Sequence, residues 1–472
     1  MVASTVQDSQ VFQRVISEKS PILTKANGMY ITVEDPVSGE QKEIIDAMTG
    51  AAVGSLGHQD AEIVQAMCDA AKTSNYSFGI YLGNRASEEL SSFIIEHSPK
   101  DHFASCLWVG SGSEANENAM KIAKQYHLEK GDSKRYKFIS RLNSYHGFTI
   151  GSLSIGDGIR KAEFKDILLS EDQTPKVSAC YPYRGIKGGM TEEDYTKELL
   201  DELEQKFIES DPNTVAAVYL ETVGGSSFGT CLPPKGYLDG VKRICDKYGA
   251  LFCLDEVMVG LGRNGKYHCY ESFMSPGLGP DLMTVGKTIG SGYVTLAGVL
   301  ISPKVKDAVV AGSNASNGAQ TYHCHEFNCK VGLEVQKKLW REDYFSKGAK
   351  VGRYMMEQIK ERTKSFKTAG DVRGLPLFFS VELCDPVTKQ PLPPSYKYAY
   401  KVQDKCFEKG ITTMGFQGTA GSTTDADGKI VGLGDHISLA PAYIITQKEG
   451  ELIVDAFVSA LAEAEAEYFA SI

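Results

Sequence analysis

Residues 251–257 read Leu251-Phe252-Cys253-Leu254-Asp255-Glu256-Val257, and residues 282–292 read Leu282-Met283-Thr284-Val285-Gly286-Lys287-Thr288-Ile289-Gly290-Ser291-Gly292. Each is a short apolar run that stops at a charged or glycine-bracketed residue. Runs of this length without alternation fit strands buried on both faces. Two similar runs lie upstream at 136–140 and 215–220, the second ending on Glu221. Between them, Leu199, Leu203 and Phe207, then Leu238, Val241, Cys245 and Tyr248, recur at helical spacing. Strand and helix in turn predict parallel βαβ units and an α/β sheet covered on both faces. Such a sheet places its ligand beyond the carboxyl ends of its strands, where the charged residues stand.

Outward from this centre the pattern changes. Residues 371–383 read as a strand and turn, and the glycine- and threonine-rich stretch 415–434 reads as a loop. Leu452, Ile453, Phe457, Val458 and Leu461 form a last amphipathic helix. A chain of 472 residues exceeds what one hydrophobic core usually supports. We therefore expect a large domain over residues 76–335, and a smaller α+β domain built from both termini, residues 1–75 and 336–472. No internal repeat is evident.

Composition narrows the class. Apolar residues are 42% and charged residues 23%, ordinary for a globular protein, and the net charge is −10 with both signs interspersed. Nucleic acid and anionic membrane both need clustered cations, so neither is expected as a partner. The first fourteen residues lack the apolar stretch of a signal peptide and the arginine-rich bias of a transit peptide. No apolar run reaches the length of a membrane span. Eleven cysteines without regular spacing suit buried thiols of a reducing cytoplasm. His323, Cys324, His325 and Cys329 lack the separated ligand pairs of structural zinc and are expected to be loop residues, so no metal is predicted.

Four places carry chemistry. After 107–109 comes Gly110-Ser111-Gly112-Ser113-Glu114-Ala115-Asn116, then a helix marked by Ala119, Ile122, Ala123 and Tyr126. Small residues and a helix N-terminus make a phosphate cup. Ser111 followed by Glu114 also fits a capping box, and both readings stand. Glu221 and Asp255 are carboxylates at strand ends, costly to bury without a donor. Asp255 suits a protonated ring nitrogen, although an Asp-Glu pair there also fits a solvated edge or a metal ligand. Lys287, in its glycine turn, can be partly desolvated and made nucleophilic, against the usual fate of lysine as a surface residue.

Two nucleotide motifs are set aside. Gly286-Lys287-Thr288 resembles the end of a P-loop, but Asp281 stands where glycine is needed. Gly260-Leu261-Gly262-Arg263-Asn264-Gly265 matches the dinucleotide fingerprint. There Asp255 and Glu256 would face a pyrophosphate, and residues 266–273 lack a helical stripe. A nicotinamide-dependent dehydrogenase is the runner-up of another class.

Taken together, residues 110–116, Tyr145-His146-Gly147, Asp255-Glu256-Val257 with Gly260-Leu261-Gly262-Arg263, and Gly286-Lys287 resemble the class III, fold type I, pyridoxal-phosphate aminotransferases. The resemblance runs from about Asp46 to Tyr443 and implies an ω-amino acid or amine transaminase working by a ping-pong mechanism. It implies that Lys287 carries pyridoxal 5'-phosphate as a Schiff base and then shuttles a proton. Asp255 would pair with the ring nitrogen, Val257 would pack on one ring face and Tyr145 would stack on the other. Gly112 and Ser113, with Ser111, would hold the phosphate, and Glu221 would lie near the ring on the substrate side. Thr321 would reach the phosphate of a neighbouring subunit, making the active unit a homodimer. A small-molecule amine donor and a carbonyl acceptor are then the partners.

The chain also departs from the family. Met258 replaces a common glutamine, Thr222 a common proline, and Ala51 and Ala52 stand where a bulky aromatic is frequent. Many members carry an arginine before the equivalent of Gly434-Asp435-His436-Ile437 that clamps a carboxylate; here Val431 lies nearest and no arginine is present. Arg141 is a candidate substitute, or else a structural ion pair. Ala52 would widen the pocket, or else pack closely on backbone, and Tyr81 would line the entrance. The same fold also serves decarboxylases, aminomutases and lyases, and a non-catalytic cofactor-binding protein is the remaining alternative.

Overall fold

A computed structural model describes residues 9–12, 15–425 and 427–471. Most of the N-terminal stretch read above for targeting signals therefore lies outside the described residues. Three sheets organise the described residues. The first is an antiparallel meander of Ile22–Asn27 (β1), Tyr30–Glu34 (β2) and Gln41–Ile45 (β3). It is fastened to the C-terminal region: the Ile45 N–H donates to Gly410 O at 2.9 Å, and the Thr412 N–H donates to Ile45 O at 3.0 Å.

The second sheet holds seven strands: Ser105–Val109 (β4), Lys137–Arg141 (β5), Lys176–Val177 (β6), Val215–Glu221 (β7), Leu251–Asp255 (β8), Leu282–Val285 (β9) and Ala297–Ile301 (β10). Their order is β4-β10-β9-β8-β7-β5-β6. Neighbours from β9 to β6 run parallel, while β10 is antiparallel to both β9 and β4. The chain is thus α/β with a mostly parallel central sheet. All residues of β7, β8 and β9 are buried, as their unbroken apolar runs require. The helix Tyr237–Tyr248 buries Leu238, Val241 and Cys245 and packs on β7 and β8, and the helix Glu192–Glu209 buries Leu199, Leu203 and Phe207 and packs on that helix and on β6.

The third sheet is antiparallel, with Ala369–Leu375 (β11), Phe378–Leu383 (β12), Met414–Thr424 (β13) and Ile430–Leu439 (β14) in the order β11-β12-β14-β13. The stretch 415–434 is therefore a long paired hairpin, and the loop reading is corrected. Its glycines serve close packing: a Cβ on Gly432 would lie 2.6 Å from Gly418 N, and one on Gly415 would lie 2.6 Å from Ala399 O. Backbone contact replaces the apolar alternation that normally marks a strand. The helix Gln447–Ser471 buries Ile453, Phe457, Val458 and Leu461, whereas Leu452 faces outward.

One buried charge cluster ties the third sheet to the second. Glu382 of β12 is fully buried; it accepts from Arg184 Nε at 2.8 Å, from Arg184 Nη2 at 2.5 Å, from Arg373 Nη1 at 2.7 Å, and from the Tyr181 hydroxyl. Two cations and a phenol satisfy the carboxylate, which makes its burial tolerable.

Candidate active site

The carboxyl ends of β4, β5, β7, β8 and β9 deliver side chains to one edge of the central sheet. There a cavity of about 370 Å³ is lined by Gly112, Ser113, Tyr145, Glu221, Asp255, Val257 and Lys287, all singled out from the sequence. Asn116, His146, Arg160, Met258, Met414 and Phe416 also line it.

Asp255 closes β8, and three donors set its carboxylate. His146 Nδ1 lies 2.9 Å and Asn116 Nδ2 3.0 Å from Oδ2, and the Val257 N–H is 2.9 Å from Oδ1. Asn116 is itself held by the Tyr219 hydroxyl, which donates to Oδ1 at 2.5 Å, and it donates to the His146 carbonyl. Asp255 therefore has a fixed direction. Its neighbour Glu256 points the other way. It accepts from Thr222 Oγ1 at 2.9 Å, the Cys269 N–H at 2.8 Å and the Tyr270 N–H at 2.6 Å, and burial pushes its pKa up to about 7. The adjacent carboxylates are thus divided between cavity and frame.

Lys287 follows β9 with φ of +47°, between Gly286 and a short 3₁₀ turn, Lys287–Ile289. Burial lowers its pKa to about 8, against the opposing pull of the Asp255 carboxylate. A substantial neutral fraction near neutral pH makes the amine a nucleophile.

Across the cavity, the helix Gly112–Glu129 begins with Gly112 and Ser113. Its first turn offers unpaired N–H groups and the positive dipole end. A Cβ on Gly112 would come within 2.7 Å of Val257 Cγ1, so glycine is what lets the two approach. Ser111 is the N-cap, accepting from the Glu114 N–H at 3.2 Å, and does not line the cavity. The Glu114 carboxylate accepts from the Gly110 N–H at 2.7 Å, so the capping-box reading holds in one half only.

Glu221 closes β7. Its carboxylate accepts from the Gly225 N–H at 3.0 Å and the Tyr145 N–H at 3.4 Å, and burial raises its pKa. Tyr145 is thereby tethered by its backbone while its ring lines the cavity.

The remaining expectations land elsewhere. Arg141 is buried and donates through Nη2 to the Glu221 carbonyl at 2.7 Å, away from the cavity. Ala52 is buried in an apolar cluster, and its neighbour Ala51 lines the cavity instead. Tyr81 is 82% exposed, and Thr321 lies in an exposed turn outside this chain's cavity. The Gly260–Gly265 fingerprint opens no α-helix; a 3₁₀ turn at Cys269–Ser272 follows, and Arg263 is buried. Asn116 and His146 stood inside quoted motifs without a role. Arg160 gave no signal, because it sits on the one-turn helix Ile159–Ala162, too short for any periodicity.

The aminotransferase class-III family model matches residues 15–461. The chain belongs to this family. An uncharacterised aminotransferase of Schizosaccharomyces pombe is 33% identical over 443 residues, covering 93% of this chain and 92% of that one. The omega-aminotransferase of Caulobacter vibrioides is 30% identical, covering 83% and 85%. Among solved structures, the omega transaminase from Pseudomonas jessenii in complex with PMP aligns with a TM-score of 0.83 at 27% identity, covering 94% and 93%. An (S)-enantioselective omega-transaminase from Thermomicrobium roseum aligns with a TM-score of 0.83 at 27% identity, covering 95% and 93%. The class III aminotransferase described here is therefore an enzyme of the fold type I transaminase architecture, and transamination is its activity.

Proposed function

We propose that this aminotransferase uses pyridoxal 5'-phosphate to move an amino group from an ω-amino acid or primary amine to an oxo acid or aldehyde, in two half-reactions at one site. The observation that carries the reading is that a desolvated lysine, an oriented carboxylate and a helix N-terminus line one cavity. Bound there, the cofactor supplies an electron sink for charge developing at the substrate carbon. The N–H groups at Gly112 and Ser113 suit a phosphate. Asp255, aimed by His146 and Asn116, suits a ring N–H, and Tyr145 and Val257 suit the two ring faces. Lys287 Nζ would hold the cofactor and would carry a proton to and from the amine-bearing carbon.

Thr321, in its exposed turn, is assigned to the site of a second copy in a homodimer; Gln320 beside it donates to Glu114 Oε1 at 2.7 Å, at the start of the cavity helix. Unpaired thiols at all eleven cysteines support a cytoplasmic setting. Borohydride treatment of the yellow holoenzyme is expected to fix the cofactor to Lys287, read by peptide mass spectrometry. Label on another lysine would overturn the site. Amine loss or carbon dioxide release without any acceptor would instead favour the lyase or decarboxylase reading.

A further inference from the structure

The cavity holds one basic side chain that the cofactor chemistry does not use. Arg160 lies with its guanidinium carbon 4.7 Å from the centre of the Tyr145 ring and 5.3 Å from that of Phe416. Two aromatic rings thus hold the guanidinium, an arrangement favourable to a desolvated cation. Nη1 donates to Ser226 Oγ at 3.1 Å. None of the ion pairs among the described residues includes Arg160, and Glu221, the nearest acid in influence, spends its oxygens on the Gly225 and Tyr145 N–H groups. A half-buried guanidinium with no carboxylate paired to it leaves donors open to an anion from outside.

Its backbone is fixed as well. Gly158, with φ of +103°, precedes the one-turn helix, and Asp157 accepts from the Asn143 N–H at 2.7 Å. Asn143 Nδ2 in turn donates to Gly418 O at 3.0 Å, joining the segment to β13. That hairpin contributes Met414 and Phe416 to the cavity, and no arginine occurs in 415–434. Arg141, the sequence candidate, is buried on the Glu221 carbonyl and does not line the cavity.

We propose that Arg160 is the anion anchor of this enzyme, binding the carboxylate of an ω-amino acid donor and, in the second half-reaction, that of an oxo-acid acceptor. The inference rests on the transaminase reading for its substrates. The guanidinium presents a planar fork of donors that matches a carboxylate, and the Tyr145 and Phe416 rings lie beside it.

The test compares wild-type holoenzyme with R160Q and R160K. R160Q is expected to lose about ten- to a hundredfold in kcat/KM for a linear ω-aminocarboxylic acid and for an oxo acid, chiefly in KM. Its kcat/KM for pentylamine should stay within about twofold, and R160K should recover part of the loss. Calorimetric titration with pentanoate, which carries the carboxylate but no amine, is expected to show binding to wild type and at least about tenfold weaker binding to R160Q. Visible absorbance of the bound cofactor reports that each variant is folded. Equal losses for pentylamine and the amino acid, or equal pentanoate affinity in all three proteins, would overturn the anchor. A wild type that binds pentanoate through Arg160 but transfers no amino group would sink the transaminase reading while leaving the anchor in place.

Discussion

At the scale of single residues, the decisive quantity is the protonation of Lys287. Its pKa of about 8 places the charge change near neutrality, well below an exposed lysine. Cofactor uptake by the cofactor-free protein requires the neutral amine, so its rate is expected to rise with pH and level off above about 8, followed by stopped-flow absorbance. A midpoint near 10 would contradict the desolvated environment. The linkage has a definite sign. Between about 8 and the ordinary lysine value the unfolded chain binds more protons than the folded one, so this residue's contribution makes the cofactor-free protein more stable as pH rises through that window. Lys287, Asp255 and Glu221 were legible because each follows a buried apolar run. Arg141 also closes such a run, but nothing in a linear sequence shows which side of the sheet edge a side chain takes. Arg160 was illegible for a different reason: its position depends on a turn held by Asn143 and a hairpin far along the chain.

At the scale of elements, the cavity depends on close approaches between loops. Gly147 has φ of +127°, and a Cβ there would lie 2.4 Å from Ser113 Oγ and 2.9 Å from Ser113 Cα. Gly147→Ala is expected to push the Tyr145 loop off the start of the cavity helix. Cofactor affinity should fall about tenfold or more, with stability lower by about 1–3 kcal/mol, measured by equilibrium dialysis and urea unfolding. Wild-type values for both would show that the contact is slack. The parallel strands were readable because burial on both faces demands unbroken apolar residues. The β13–β14 hairpin was not, since glycines at 415, 418, 421, 432 and 434 trade side-chain packing for backbone proximity. The meander β1–β3 also went unseen: much of β1 and β3 is exposed, and its anchoring to Gly410 and Thr412 is non-local.

At the scale of the whole molecule, Glu382 joins parts that sequence reading assigned to different domains. Its partners Tyr181 and Arg184 follow the central sheet's edge strand β6, and Arg373 lies on β11. Glu382→Leu leaves two largely buried guanidinium groups without their carboxylate and is expected to cost about 3–5 kcal/mol in urea unfolding. The double change Glu382→Leu with Arg373→Met should restore part of that loss, because the uncompensated charge is reduced. An unchanged unfolding midpoint for Glu382→Leu would mean the cluster adds nothing to cohesion.

The hairpin that brings Met414 and Phe416 to the cavity closes its ladder on β12, not on the strands bearing Lys287 and Asp255. One part of the cavity wall and the reactive pair are consequently written in separate parts of the chain. Selection, natural or in the laboratory, can redraw the first by changing alternate positions of one strand, while the reactive pair keeps its spacing.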